Sequence, residues 1–285
     1  MFMFFFSRDL EIHCWGGLGS QLYASAFFEK MSLENFNPTL VFHSSGVTPR
    51  SPELDWMYEG EYSSFNDFEL GGLKSEIGFA KRGIISILKS LKNSLGLNLY
   101  QQNDTLPKIR EWTKSVRGHY AFEQITEEIL EKINERSLKS RRKEFYKKDY
   151  LQVKGIGIHY RIGDLETLVN KTYIDPSQLS KLIQEINEKE KLNVTLSSDS
   201  ANKAELLLGS ANKFDIRLLK TNTWDTIQEL KKLTYFVGTN SKVSIWIAIL
   251  RSYEVNSHKT FMPENLKPVL MANLGKKLTS KINFY

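Results

Sequence analysis

The chain has 285 residues, with 39 Lys and Arg against 33 Asp and Glu, a formal net charge of +6, and 41% apolar and 25% charged residues. That balance excludes disordered and fibrous classes, and the length calls for one large or two medium domains. The single cysteine, Cys14, excludes an intrachain disulfide framework and fits a reducing compartment.

The charge excess is mild. It suits anionic lipid, nucleic acid or a phosphorylated substrate without choosing among them. The opening Met1-Phe2-Met3-Phe4-Phe5-Phe6 is too short for a signal-peptide core and has no basic region before it. No stretch approaches the ~20 apolar residues that span a bilayer. The expectation is a cytoplasmic protein, soluble or bound peripherally at the inner face of the membrane.

In chain order, Leu10 to Trp15 alternates and reads as a strand. Gly16-Gly17-Leu18-Gly19 then leads into Ser20 to Phe28, which has helical spacing. Thr39 to His43 reads as the next strand, after a break at Asn37-Pro38. The prolines and polar aromatic run after residue 44 suggest loops. Phe79 to Leu95 differs: Ile84, Ile85, Ile87, Leu88, Leu91 and Leu95 form an apolar stripe among Lys81, Arg82, Lys89 and Lys92. Such a stripe more often packs against its own domain than lies on a membrane. Glu123 to Lys139 reads as a polar surface helix, and the basic segment Arg141 to Lys148 marks the domain boundary. From Lys154 onward strands and helices alternate: strands at 155–160, 192–197, 214–219, 235–237 and 260–262, and helices at 177–189, 203–208, 225–233 and 242–251. The fold class is therefore α/β, with a doubly wound parallel sheet in the second half. Domains are expected at 1–148 and 149–285.

Four segments fall at strand-to-helix turns, where such sheets place ligands. Gly16-Gly17-Leu18-Gly19-Ser20-Gln21 permits close backbone approach and offers free N–H groups at a helix start, or is only a tight turn. His159, Arg161 and Asp164 end the strand that begins at Gly155. Arg suits a diphosphate because its planar fork makes two charge-assisted hydrogen bonds; a structural Arg–Asp pair is the alternative. Ser198-Asp199 follows the next strand, where Asp bonds a ribose or base or, more commonly, caps the helix. Gly238-Thr239-Asn240-Ser241-Lys242 ends a later strand, and its hydroxyls and helix start suit a phosphate. No cysteine pair, close His cluster, D-x-D triplet or G-x-S-x-G elbow is present. Cys14 reads as buried, and His13, His43 and His258 as structural or surface residues. Phe145 and Tyr146 lie in the basic run Lys143 to Lys148, but no nucleic-acid module accompanies them.

At these four segments the chain resembles GT-B fucosyltransferases, above all the bacterial α-1,2-fucosyltransferase family. Gly16-Gly17-Leu18-Gly19-Ser20-Gln21-Leu22-Tyr23 is similar to that family's GGLGNQLF. Ile158-His159-Tyr160-Arg161-Ile162-Gly163-Asp164 is similar to its IHIRRGD. Lys171-Thr172-Tyr173-Ile174, Ser198-Asp199 and the run Thr239 to Trp246 follow in the family's order, with Val116 to Tyr120 a weaker match. Three positions depart from the pattern: Ser20 stands for Asn, Ile162 for a second Arg and Ile245 for a Trp. Protein O-fucosyltransferases also carry a single Arg followed by Ile-Gly at this segment.

The resemblance implies two Rossmann-like domains facing a cleft, with the C-terminal sheet binding the nucleotide-sugar. It implies inverting transfer of L-fucose or a related deoxysugar from a GDP-sugar to a glycan or lipid-linked oligosaccharide acceptor, in an α-1,2 linkage of bacterial surface polysaccharide. No cofactor and no metal are expected. By resemblance Arg161 holds the diphosphate, His159 and Asp199 seat the nucleotide, and Asn240, Ser241 and Lys242 line its phosphate end. Gly17, Leu18, Gly19 and Gln21 approach the donor. Asp164 is the candidate base. A non-catalytic nucleotide- or glycan-binding module on the same fold is the alternative reading. Nucleic acid is not an expected partner, and a peripheral membrane contact would run through Phe79 to Leu95.

Overall fold

The structure, a computed structural model, describes residues 8–44, 50–59, 61–65, 95, 97–100, 108–141, 143–148, 151–163, 165, 173–188, 190–209, 215–254 and 259–285. The chain divides into two compact units, Met1–Phe145 and Tyr146–Tyr285. Each is built on a parallel sheet.

The first unit opens with β1 (Asp9–Trp15), α1 (Leu18–Leu33) and β2 (Asn37–His43). Pro38 lies inside β2 instead of breaking the chain before it. The next strand, β3 (Tyr62–Phe65), pairs only from Leu40 onward, so Pro38 sits where that neighbour requires no N–H. β4 (Asn98–Tyr100) and β5 (Ser115–Arg117) complete the sheet, in the order β3-β2-β1-β5-β4. These last three strands fall in the stretch read from sequence as loops. Each has three or four residues, too few for an alternation to register.

α1 is buried on nearly every side, as expected of a helix held between a sheet and a second helical layer. α2 (Glu127–Arg141) packs on it. Ile129, Leu130 and Ile133 are buried, so this helix is amphipathic and not merely a polar surface element. Arg136 of α2 bonds Glu29 of α1 at 2.5 Å and Glu61 at 2.6 Å, with its guanidinium 4.9 Å from the Phe28 and Tyr58 ring centres. Phe145 and Tyr146 are buried. Their rings therefore present no stacking faces to a nucleic acid.

The second unit runs β6 (Val153–His159), α3 (Pro176–Asn187), β7 (Val194–Ser197), α4 (Ala201–Gly209), β8 (Ile216–Leu218), α5 (Thr223–Lys231), β9 (Leu233–Gly238), α6 (Lys242–Tyr253), β10 (Lys259–Met262), α7 (Lys267–Thr279) and β11 (Ile282–Phe284). Helix starts are capped by side chains. Asp175 accepts from Ser177 N with Pro176 at the first position, and Asn222 caps α5 by accepting from Asp225 N. The strand order is β11-β10-β9-β6-β7-β8, all parallel. Counted from β6, this is the doubly wound order of dinucleotide-binding sheets, and it reverses between β6 and β9. The core between sheet and helices is made by Ile156, Ile158, Leu179, Ile183, Val194 and Leu196. The two-unit α/β architecture agrees with the fold class expected from the alternating pattern.

Among the described residues no helix is long and apolar enough to cross a membrane. The basic stripe at 79–95 lies outside the described residues except for Leu95, as do Met1 to Phe6, Asp164, Lys171, Thr172 and His258.

Candidate functional site

In a doubly wound sheet the crevice for a ligand lies beyond the carboxyl ends of the two strands where the order reverses. Here those ends are His159-Tyr160-Arg161 on β6 and Gly238-Thr239-Asn240 on β9. The two turns are cross-linked. Thr239 Oγ1 donates to His159 O at 3.0 Å and accepts from Arg161 N at 3.0 Å. Ser244 Oγ accepts from Thr239 N at 3.1 Å and lies 2.9 Å from His159 Nδ1. Tyr285 OH donates to Gly238 O at 2.7 Å. Both strand ends are thereby held in one frame by side chains on β9, α6 and the residue after β11.

Asp199 belongs to the same frame. Its Oδ1 accepts from Ile162 N at 2.9 Å and Gly163 N at 3.2 Å, and its Oδ2 lies 3.9 Å from Arg161 Nε. Ahead of the next helix, Ser198 Oγ accepts from Ser200 N at 3.0 Å. Asp199 therefore turns toward the β6 loop and away from its own helix. A Cβ at Gly163 would stand 2.6 Å from Asp199 Oδ2, so only glycine permits this approach. Asp199 thereby fixes the turn that carries Arg161.

The charges converge. Arg161 is about one-third exposed. Lys242 is the first residue of α6, whose N-cap Ser241 accepts from Val243 N at 3.2 Å. Burial, reinforced by the positive charge of Arg161, pushes the Lys242 amine down to about 8. His159 is buried, and burial lowers its pKa to about 4; Asp199 opposes that shift and Arg161 adds to it. The imidazole is therefore neutral at physiological pH and acts through hydrogen bonds. Arg161, Lys242 and the α6 N-terminus together make an electropositive point at the sheet's reversal. The charged form of Lys242, disfavoured by burial and by Arg161, is favoured once an anion is bound. Asn240 and Ser241 lie on the turn between β9 and α6. The sequence-predicted His159, Arg161, Asp199, Asn240, Ser241 and Lys242 thus come together at one end of one sheet. Sequence reasoning took the Thr239 hydroxyl as a candidate phosphate contact and assigned no role to Ser244 or Tyr285; all three hydroxyls hold the two strand ends in place.

In the first unit the glycine turn has a different occupant. Gly16 adopts φ +92°, which requires glycine, and Gly17 precedes α1. Leu18 N donates to Glu53 Oε1 at 2.8 Å. Gln21 accepts from Glu53 N at 2.8 Å and donates to Gly16 O at 3.0 Å and Ser51 O at 3.1 Å. The helix start predicted to face an anion carries the chain's own carboxylate. Gly19 is buried in the first turn, and Gln21 ties the segment around Glu53 to the helix. His13 and His43 form a buried pair, Nδ1 to Nε2 at 2.8 Å. Burial, Arg117 and His43 lower the His13 pKa to about 4 against the pull of Glu11. Cys14 is buried, and burial lifts its thiol to about 12, so it is unreactive. Among the described residues no group of three or more His, Cys, Asp or Glu side chains could hold a metal ion.

No protein-family model matches the chain, and no curated protein matches its sequence. Among solved structures it is similar to the E. coli heptosyltransferase WaaC with ADP, at 10% identity and a TM-score of 0.45, covering 97% of this chain and 92% of that one. It is also similar to POFUT1 in complex with GDP, at 9% identity and a TM-score of 0.40, covering 90% of this chain and 98% of the other.

Proposed function

We propose that the protein is an inverting glycosyltransferase that moves L-fucose, or a related deoxysugar, from its GDP conjugate to a hydroxyl of a glycan acceptor. The observation that carries the reading is the pairing of Arg161 with Lys242 and the α6 N-terminus at the reversal of the parallel sheet. This is a diphosphate site by charge, by position and by fold. The GDP-linked deoxysugar is supported by the motif order that the chain shares with the fucosyltransferases, from Gly16 through Trp246. The same resemblance supports an α-1,2 linkage to a glycan or lipid-linked oligosaccharide of a bacterial surface polysaccharide.

The chemistry is a single displacement. The acceptor oxygen forms a bond to the anomeric carbon as the bond from that carbon to the diphosphate oxygen breaks. The electron pair of the breaking bond leaves with GDP, and the acceptor proton passes to a base. The diphosphate gains negative charge as it departs. Arg161 and Lys242 are placed to meet that charge, so they stabilise the transition state more than the bound donor. Two fixed side-chain cations fill the role that a divalent ion has in metal-dependent transferases, and no metal is assigned. Asp164, the candidate base, lies outside the described residues.

The test is release of GDP from GDP-fucose by the purified protein, with and without a panel of glycan acceptors. The expected result is GDP release stimulated by at least one acceptor, with a fucosylated product of inverted anomeric configuration. Binding of GDP with neither hydrolysis nor transfer would instead identify a non-catalytic nucleotide-binding module.

A further inference from the structure

The last elements of the chain carry a surface that the nucleotide site does not use. Residues 259–285 contain Lys259, Lys267, Lys276, Lys277 and Lys281 against one acid, Glu264. This stretch therefore holds a net +4 of the chain's +6. α7 and β11 enclose a groove of about 320 Å³. Met271, Ile282 and Phe284 line it together with Lys267 and Lys276. Met271 is 44% exposed, an unusual position for a large apolar side chain. α7 is interrupted at Gly275, at φ +70° and ψ 170°. The helix changes course there, and the exposed Lys276 and Lys277 follow directly. Lys267 Nζ lies 5.1 Å from the Phe284 ring centre and bonds the exposed Glu264 at 2.8 Å. Its stem covers apolar surface while its ammonium stays at the edge, as at membrane interfaces.

We propose that this α7–β11 face docks on an anionic lipid bilayer. The apolar groove, with Met271 beside it, takes the acyl boundary, and Lys267, Lys276 and Lys277 take the lipid phosphates. Apolar area together with lysines is the combination that holds a peripheral protein on such a surface. A nucleic acid would leave the apolar lining unmatched. The lysines changed in the test, Lys276 and Lys277, lie on α7 and not among the residues of the β6–β9 turns, so nucleotide binding and membrane binding can fail independently.

The test is co-sedimentation of the full-length protein with phosphatidylcholine vesicles, with and without phosphatidylglycerol. The measurement is repeated on Lys276→Glu/Lys277→Glu and on a charge-matched control, Lys181→Glu/Lys191→Glu, which changes exposed positions on the other side of the sheet order. Binding to the anionic vesicles alone is expected. Each lysine near such a surface is worth about fivefold in affinity, so the Lys276/Lys277 double variant should lose about twenty-five-fold or more and the control less than about fivefold. GDP binding should be unchanged in both. Three results would each overturn the assignment: no binding to anionic vesicles; a loss under about fivefold in the double variant, which would place the contact elsewhere, such as on the stripe at 79–95; or an equal loss in the control, which would make the effect one of net charge.

Discussion

Arg161→Ala should lower the rate of GDP release from GDP-fucose by about a hundredfold or more, the usual effect of removing one preorganised group that meets developing negative charge. The fold should survive the change. The side chain is about one-third exposed, and its ion pair with Asp199 is long at 3.9 Å. The structural bond at this residue is made by its backbone N–H to Thr239 and remains in the variant. Thermal stability should therefore change little while turnover collapses. Arg161→Lys keeps the charge but loses the planar fork, and should recover only part of the rate. Near-normal turnover in the alanine variant would remove Arg161 from the mechanism.

Arg251→Ala should act in the opposite way, unfolding the second unit without touching the nucleotide. Arg251 is 3% exposed. Its Nε donates to Thr260 Oγ1 at 2.8 Å, and its Nη1 donates to Lys231 O at 2.8 Å and Leu233 O at 2.6 Å. Its Nη2 donates to Thr234 O at 3.1 Å and Lys259 O at 3.2 Å. One guanidinium thus joins the end of α5, the start of β9 and the start of β10. Burial pulls its pKa down to about 9, opposed by the carboxylate of Glu254, which is itself buried. Truncation strands several carbonyls and leaves a buried acid without its cation. Removing one partner from such an arrangement costs about 3–5 kcal/mol, or a fall of roughly 10 °C in Tm for a unit of this size. Thermal unfolding of the variant measures it, and a shift of only a degree or two would show that the network is replaceable. Arg251→Lys should recover little, because an ammonium cannot span three elements at once.

The second unit was the more legible in the sequence, for a physical reason. Its central strands β6 and β9 are buried over most of their length, and α3, α5 and α6 begin at capping side chains, so Gly155 to Tyr160 and Lys242 to Arg251 stand out as apolar runs with polar ends. Ile282–Phe284 and α7 did not stand out. The strand has three residues, and α7 carries Pro268 and Gly275 within an otherwise helical span. In the first unit β3, β4 and β5 were equally short. Ionisable residues at a strand end are strongly typed, and His159, Arg161 and Lys242 were singled out by their type and place together with the family resemblance. Thr239, Ser244 and Tyr285 are of common types, and only their contacts reveal what they do. Asp199 illustrates the limit most clearly. Its place after β7 suggests a nucleotide contact or a helix cap, yet its carboxylate faces the neighbouring turn because Gly163 leaves room for it. Glu53 on the α1 start could not have been anticipated, since it comes from a segment with no pattern of its own.

The central claim is that a guanosine diphosphate binds at the joined ends of β6 and β9, on Arg161 and Lys242. Calorimetric titration with GDP, UDP and ADP at pH 7 and pH 9 tests it most directly. Lys242 is charged below about pH 8, and a bound diphosphate favours that charged form. Affinity should therefore be full at pH 7 and fall by up to about tenfold at pH 9, as linkage requires. The account predicts selective GDP binding that weakens in this direction. Absence of GDP binding, or tighter binding of UDP or ADP, would contradict it.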